Sequence, residues 1–537
     1  MCGIFSYKGR TYKWPELRDA VDLIGYRGPD NTHYGTVADD VLFAFHRLAI
    51  IGNTSNGDQP MKHPQDDSLT LICNGEIYNY KDLAKKYDFN LITGSDSEII
   101  LHMYRKFGIE RMVKELDGVF MFVIYDASSN LLFAARDPMG VRPGFIGSKD
   151  DELFIASEAK PLVQFCKDIS PFQPGTWWCS DASKTFNHYF TYNNENQQEK
   201  DESAICRKIR ELLTEAVSKR LMAERDIGCL LSGGLDSSLI TSLVKRHYSG
   251  PQLNTFSIGM PGSIDLKYAQ NVAEFLGTKH HKIEISKKDF LKAIEIVIYN
   301  IESYDTTTVR ASVGNYLVSK YICENSDCKV IFNGDGSDEV CCGYVYLRNA
   351  PSKLALQQES QKLLEEIHYF DVLRSDRSIS ANGLEARMPF LDKSFVKYYL
   401  SIPAELKMFD GNKRLEKHLL RQAFDQLDYL PHKILWRRKC AFSDGVSSKE
   451  QSWHKTIQTY IDNIISDEEY LREKKKIIHC PPQLKESYYY RKLFEEYFGK
   501  NEKLIPHFWM PKWVKTLDPS ARAVSYTHLT LPTNREV

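Results

Sequence analysis

Apolar residues in the first 190 or so positions come in short runs. Those at 42–45, 69–73, 119–125 and 131–135 are each bounded by clusters of Gly, Pro, Asn and Asp, which predicts strands separated by turns. Ile100, Leu101 and Tyr104 recur at helical spacing and predict one helix, over 97–106, among those strands. The mixture predicts an α+β layered domain.

The stretch 191–202, TYNNENQQEKDE, is polar and without apolar period, and reads as a linker. Beyond it the rhythm changes. Ile205, Ile209, Leu212, Ala216 and Val217 form one face of an amphipathic helix. Strands are predicted at 227–231, 253–258, 282–285 and 329–332, with helices at 266–276 and 290–299 between them. Alternation of this kind predicts a doubly wound parallel sheet, an α/β fold. After Asp335 the pattern is mostly helical and without repeats. The domains expected are therefore 2–190 and 203–523. The closing residues 524–537 fit neither pattern and are set aside as a non-native tail.

Bulk properties narrow the function classes. A chain of 537 residues has room for roughly two to four domains. Its 70 Lys+Arg against 71 Asp+Glu leave no global field for nucleic acid or an anionic membrane, so neither partner is expected. The start, MCGIFSYKGR, lacks the form of a secretory signal, and the run 119–125 is far too short to span a bilayer. A cytoplasmic location is expected. The 12 cysteines read as free thiols. Cys323, Cys328, Cys341 and Cys342 lack paired C-x-x-C spacing, so no zinc is expected, and no organic prosthetic group either.

Two strings carry candidate nucleotide chemistry. Ser232-Gly233-Gly234-Leu235-Asp236-Ser237-Ser238 joins an apolar strand to a helix. Its glycines allow close backbone approach to a polyanion, and its hydroxyls and helix N-terminus supply donors. Alone, such a turn is either a capped junction or a phosphate loop; the full string at a β–α junction favours phosphate. It is not a Walker A loop, because the Gly-Lys-Ser/Thr ending is missing. It resembles the pyrophosphate loop of N-type ATP pyrophosphatases. The second string, 333–339, reads NGDGSDE. Three carboxylates so close repel one another unless solvated or compensated by a cation. A parallel sheet puts this loop on the same side as the first, where Mg²⁺ held by Asp236 and Asp338 beside ATP becomes the better explanation.

The N-terminus carries different chemistry. With Met1 removed, Cys2 would offer both a thiol and an α-amine whose ordinary pKa is about 7.7–8.0, a usable base. Asn74-Gly75-Glu76 follows an apolar strand and offers oxyanion donors, and Arg47 supplies a carboxylate fork. C-G-I, R-G-P-D, H-R-L, N-G-E-I-Y-N and D-G-x-F-x-F together resemble the class II glutamine amidotransferase domain. That resemblance implies a four-layer αββα glutaminase. It makes Cys2 the nucleophile and Asn74 with Gly75 the oxyanion donors. Glutamine would be held by Arg47, Leu48, Ala49, Ile50, Ile51, Asn74, Gly75, Glu76 and Asp96.

A class II glutaminase followed by a pyrophosphate-loop domain resembles the asparagine synthetase family. The strings at 304–312 (YDTTTVRAS), 383–392 (GLEARMPFLD), 442–445 (FSDG) and 510–513 (MPKW) are similar to its synthetase motifs. The resemblance implies that glutamine is hydrolysed at Cys2 and that aspartate attacks ATP to give a β-aspartyl-adenylate, which ammonia converts to asparagine. Leu231, Ser232, Gly233, Gly234, Asp236, Ser237, Ser238, Ile258, Asn333 and Gly334 would bind ATP. Asp335 and Lys439 would act in catalysis, although a surface role for Lys439 in Arg437-Arg438-Lys439 remains as good a reading. A homodimer is expected. Two departures stand out: the family loop reads S-G-E-G-S-D-E where this chain has Asn333 and Asp335, and Cys440 replaces a Glu. A related amide ligase with another carboxylate substrate, and a catalytically silent paralogue, are the competing readings.

Overall fold

The computed structural model describes residues 1–52, 54–181, 183, 185–192, 199–439, 445–447 and 452–519. Most of the predicted linker centre (193–198), Cys440, 442–444 of the third synthetase motif and the tail 524–537 lie outside the described residues.

Two six-stranded antiparallel sheets build the first half. One runs in the order Asp168–Pro171, Phe145–Lys149, Glu152–Ala156, Gly3–Lys8, Val41–Arg47, Asn31–Ala38. The other runs Phe186–His188, Thr176–Cys179, Leu131–Arg136, Gly118–Asp126, Asp66–Ile77, Met61–His63. Strand Gly118–Asp126 explains the continuous apolar run there. Met121 and Val123 point between the sheets to meet Ile4, Phe43 and Phe45, while Phe120, Phe122 and Ile124 point outward against Ile99, Ile100 and Met103 of a covering helix. A strand buried on both faces cannot alternate. On the opposite outer face, Leu17, Ala20 and Val21 of helix Trp14–Asp22 lie in the same core as Phe5, Tyr7 and Leu42. The result is the expected αββα layering.

The expectation of one helix here is corrected to three among the described residues: Trp14–Asp22, Tyr80–Tyr87 and Glu98–Glu115. The first two bury only three and one side chains respectively, too few to register as a period. The third outruns 97–106 because Gly108, at φ 71°, kinks the chain without ending the helix.

The second half contains a parallel sheet ordered Lys279–Glu284, Asn254–Gly259, Ile227–Leu230, Val330–Phe332, Glu385–Arg387. Helices Leu235–His247, Ile264–Leu276, Lys287–Ile301 and Thr306–Asn325 make the crossovers. Strand order reverses between Ile227–Leu230 and Val330–Phe332, so the loops leaving these two strands open into one crevice at their carboxyl ends. The fifth strand was not predicted: its three residues, Glu-Ala-Arg, give no apolar run, yet all are buried. Helices from Lys353–Glu366 to Lys485–Phe498 complete the C-terminal part. No helix among the described residues is long and apolar enough to cross a membrane.

Candidate functional sites

The first site forms where the strand Gly3–Lys8 begins, beside the C-terminal end of Asp66–Ile77. The Cys2 backbone nitrogen donates to Asn74 Oδ1 at 3.0 Å, and Cys2 Sγ lies 3.8 Å from the Leu48 carbonyl. Asn74 is fully buried, and its Nδ2 has no partner, which leaves a donor for a developing oxyanion beside the thiol. Gly75 is required by close approach, since a Cβ there would sit 2.4 Å from the Val119 carbonyl oxygen.

Glu76 is buried, with Arg387 Nη2 at 3.6 Å. Burial, together with Glu385 and Asp96 nearby, pushes its carboxyl well above the usual range. Asp96 accepts from the Ile77 nitrogen at 2.6 Å, and burial lifts its pKa to about 6. Both are acceptors suited to an ammonium group. Arg47 is held by its own loop, donating to the Thr54 carbonyl at 2.8 Å, Asp58 Oδ1 at 2.6 Å and the Gly52 carbonyl. Asp30 of the R-G-P-D string pins that loop by accepting from the Ala49 nitrogen at 2.8 Å. Leu48 and Ile50 turn their side chains into the core, so only their backbone faces the site.

Met1 is present and buried, with its amine 3.8 Å from Glu385 and its sulfur 2.7 Å from Arg142 Nη1. The nitrogen of Cys2 is therefore an amide here, and burial raises its thiol pKa.

The second site is a cavity of about 340 Å³ at the switch point. Gly233 adopts φ +73°, and a Cβ on it would lie 2.4 Å from the Ala269 nitrogen. Gly334 lets the two loops touch, because its Cβ would lie 2.7 Å from the Ser237 nitrogen. Leu231, Ser232, Gly234, Asp236, Ser237, Ile258, Asn333, Gly334, Asp335, Asp338 and Lys439 all line the cavity. Two predicted residues do not. Ser238 is fully buried within the helix with its hydroxyl unpartnered, and Gly233 faces Arg437, whose Nη1 donates to its carbonyl at 2.9 Å.

Charge alternates around this cavity. Lys417 Nζ bridges Asp236 at 2.7 Å and Asp338 at 2.6 Å, and Lys439 also pairs with Asp338. Burial opposes ionisation of Asp338, but the two lysines override it and hold the carboxyl far below its usual range. Arg374 lies 2.9 Å from Asp335 and 3.2 Å from Asp371. Burial nevertheless raises the Asp335 carboxyl. Tyr344 donates to Glu339 at 2.6 Å and to Asp371 at 3.1 Å. The sequence reading missed Lys417, Arg374, Asp371 and Tyr344. Lys417, Arg374 and Asp371 sit in mixed-charge stretches far beyond Asp335 and only the fold brings them to the two loops, while Tyr344 follows Gly343 in the uncharged run 340–347, where an aromatic reads as core.

A thiol beside an amide donor, joined in one chain to a Gly-rich loop at a parallel-sheet switch point, belongs to a glutamine amidotransferase coupled to a synthetase. Residues 1–223 match the family model of the glutamine amidotransferase domain, and residues 208–358 and 348–517 match that of asparagine synthase. The chain is 42% identical to the glutamine-hydrolyzing asparagine synthetase of Gallus gallus, across 98% of this chain and 99% of that protein. Against those of Mus musculus and Homo sapiens, identity is 41% and 40% over the same shares. The chain belongs to the family of glutamine-hydrolyzing asparagine synthetases.

Proposed function

We propose that this enzyme makes asparagine from aspartate and ATP with ammonia cut from glutamine, releasing glutamate, AMP and pyrophosphate. The single observation that carries the reading is the unpartnered Asn74 Nδ2 beside Cys2, in the same chain as the acid-and-base-lined cavity at the switch point.

Removal of Met1 would convert the Cys2 amide nitrogen into an amine next to its own thiol. The amine takes the thiol proton, and the thiolate attacks the glutamine amide carbon. The oxyanion is held by Asn74 Nδ2 and the Gly75 N–H. Ammonia leaves with that proton, and water cleaves the thioester to glutamate. Arg47, with the backbone of 48–51, holds the glutamine carboxylate, and Glu76 and Asp96 hold its ammonium.

In the cavity an oxygen of the aspartate β-carboxylate attacks the α-phosphorus of ATP, and pyrophosphate leaves. Ammonia then attacks the acyl carbon and AMP leaves. Ser232, Gly234 and Ser237 offer donors to the pyrophosphate, Leu231 and Ile258 pack on the nucleoside, and Asn333 and Gly334 close the pocket. Lys439 balances phosphate charge, and Asp335, fixed by Arg374, receives the proton of the incoming ammonia. The donor set fits Mg²⁺: Asp236 and Asp338 already share one cation, and two carboxylates plus phosphate oxygens suit that ion, which would neutralise the leaving pyrophosphate. An apolar passage between the sites is needed, because ammonia in water is protonated and loses its lone pair.

We further read 2–190 and 203–523 as the two functional domains, 524–537 as dispensable, the assembly as a homodimer and the location as cytosolic. The free thiols of all 11 described cysteines support the last reading. Incubation with aspartate, ATP, Mg²⁺ and glutamine should give asparagine, AMP and pyrophosphate together. Cys2→Ala should remove glutamine-dependent synthesis and spare synthesis from ammonia. Equal loss with both nitrogen donors would refute the assignment of the nucleophile.

A further inference from the structure

The Gly233–Gly234 peptide is the freest in the first nucleotide loop, because neither residue has a Cβ to bar a flip of the plane between them. Its two edges are nonetheless different. In a trans peptide the carbonyl and the following N–H point in opposite directions. The Gly233 carbonyl accepts from Arg437 Nη1 at 2.9 Å, and the Gly234 N–H points the other way, to Ser232 Oγ at 3.3 Å. Ser232 and Gly234 line the cavity, whereas Gly233 does not. The N–H contact is long, and a phosphate oxygen is the stronger acceptor for the same donor. Whatever fixes the carbonyl therefore decides whether the loop offers an anion an N–H or a carbonyl oxygen.

Arg437 is placed to fix it. Its Nη2 donates to Asp265 Oδ1 at 2.8 Å, and its guanidinium lies 3.9 Å from the centre of the Tyr268 ring. Asp265 and Tyr268 stand three residues apart on helix Ile264–Leu276, and so share a face. Gly233 presses on that same helix, since a Cβ there would lie 2.4 Å from the Ala269 nitrogen and 2.5 Å from Tyr268 Cβ. The fork thus ties the loop carbonyl to the helix beneath it, with two hydrogen bonds and a stack that only a planar guanidinium makes together. Two residues on, Lys439 pairs with Asp338 of the second loop. The segment 437–439 therefore reaches both nucleotide loops.

We propose that Arg437 is a positioning residue for ATP, holding the Gly233–Gly234 peptide with its N–H turned toward the β- and γ-phosphates. This rests on the reading of the cavity as the ATP site given above. Its work is to aim a backbone donor and not merely to add positive charge, and that distinction is what an experiment can read.

The test is calorimetric titration of the full chain with inorganic pyrophosphate and, separately, with AMP, each with Mg²⁺. Pyrophosphate reports the loop, and AMP reports the nucleoside pocket of Leu231 and Ile258. Arg437→Met removes fork and charge together, and should weaken pyrophosphate roughly tenfold while AMP stays within about twofold. Arg437→Lys keeps the charge and loses the fork, because one ammonium cannot bond Gly233 and Asp265 and also stack on Tyr268. It should still weaken pyrophosphate by roughly three- to tenfold. In ammonia-supported synthesis it should raise the KM for ATP by a like factor and leave the KM for aspartate unmoved. Full pyrophosphate affinity in Arg437→Lys would show that charge alone matters and overturn the proposal. Equal weakening of AMP and pyrophosphate would also overturn it, by making Arg437 a general prop of the fold. Should Arg437→Met not fold, the lysine variant decides alone. If the unaltered enzyme binds neither pyrophosphate nor ATP, the nucleotide reading of the cavity falls and takes this one with it. If it binds them and both variants match it, only the role of Arg437 falls.

Discussion

At the scale of single residues, the two sites differ in how they handle buried charge. The synthetase cavity pairs its carboxylates with Lys417, Lys439 and Arg374, whereas Asp96 in the glutamine site is raised to about 6 by burial. That value predicts a pH dependence. On the proposed role of Asp96 as the acceptor for the substrate ammonium, it must be ionised, so kcat/KM for glutamine should fall as pH drops through about 6. The accompanying stability change has the opposite sign. A carboxyl with a raised folded-state pKa contributes stability that is complete below its ordinary value near 3.8 and is lost as pH rises through about 6. Activity loss near pH 6 should therefore come without unfolding from this group. A kcat/KM flat from pH 7 to 5 would remove Asp96 from the ammonium site. Asp335→Asn asks the matching question of the other site, since it keeps size and removes the charge facing Arg374. Most synthetase activity should disappear and glutaminase remain. Synthesis at the original rate would make 333–339 a solvated turn.

At the scale of elements, the close contact of the two nucleotide loops yields a steric prediction. Gly334→Ala would place a methyl group 2.7 Å from the Ser237 nitrogen, and overpacking of this kind costs about 1–3 kcal/mol. The loops should separate, ATP cleavage should fall severely, and glutamine hydrolysis should persist. A variant with ordinary ATP cleavage and an unchanged melting temperature would show that the loops need not touch. These loops were legible in the sequence because glycines and hydroxyls mark where a strand hands over to a helix, and three of the parallel strands announced themselves as apolar runs, while the edge strand Lys279–Glu284 showed only its last residues. What stayed hidden has a physical reason in each case. Strand Glu385–Arg387 is buried chiefly through ion pairs, with Ala386 its one apolar side chain. Helix Tyr80–Tyr87 buries only Leu83. Arg374 reaches the cavity from helix Asp371–Ser380 and Lys417 from the turn before helix His418–Phe424, both far along the chain, so their meeting with Asp335 and Asp338 is a property of the fold alone.

At the scale of the whole molecule, the two sites are joined through that unannounced strand. The Arg387 carbonyl accepts from the Asn333 nitrogen at 3.1 Å, which sets the second nucleotide loop, while its Nη2 lies 3.6 Å from Glu76 in the glutamine site. Its Nη1 also donates to the Met222 carbonyl at 2.6 Å and to that of Arg220. The segment 220–226 leads directly into strand Ile227–Leu230 and the first nucleotide loop. The same segment grips the glutamine-site loop, as the Glu224 nitrogen donates to the Ile50 carbonyl at 2.9 Å and Gly52 donates back to Glu224 at 3.2 Å. One arginine and one short segment thus touch the glutamine site and the second nucleotide loop, and the segment runs on into the strand that carries the first. Coupling of this kind requires a differential contact in the two states, and Arg387 reaches Glu76 while holding the synthetase segment. Arg387→Met preserves bulk and removes the charge, leaving Glu76 and Glu385 short of a cation, which for buried pairs costs about 3–5 kcal/mol. The melting temperature should fall, the KM for glutamine should rise, and glutamate formed per asparagine should climb well above one. Arg387→Lys restores charge without the fork. It should recover most of the stability yet keep the ratio high, because one ammonium cannot reach Glu385, Glu76 and the Met222 carbonyl together. If both variants hold the ratio near one, stability alone depends on Arg387 and the sites communicate by another route.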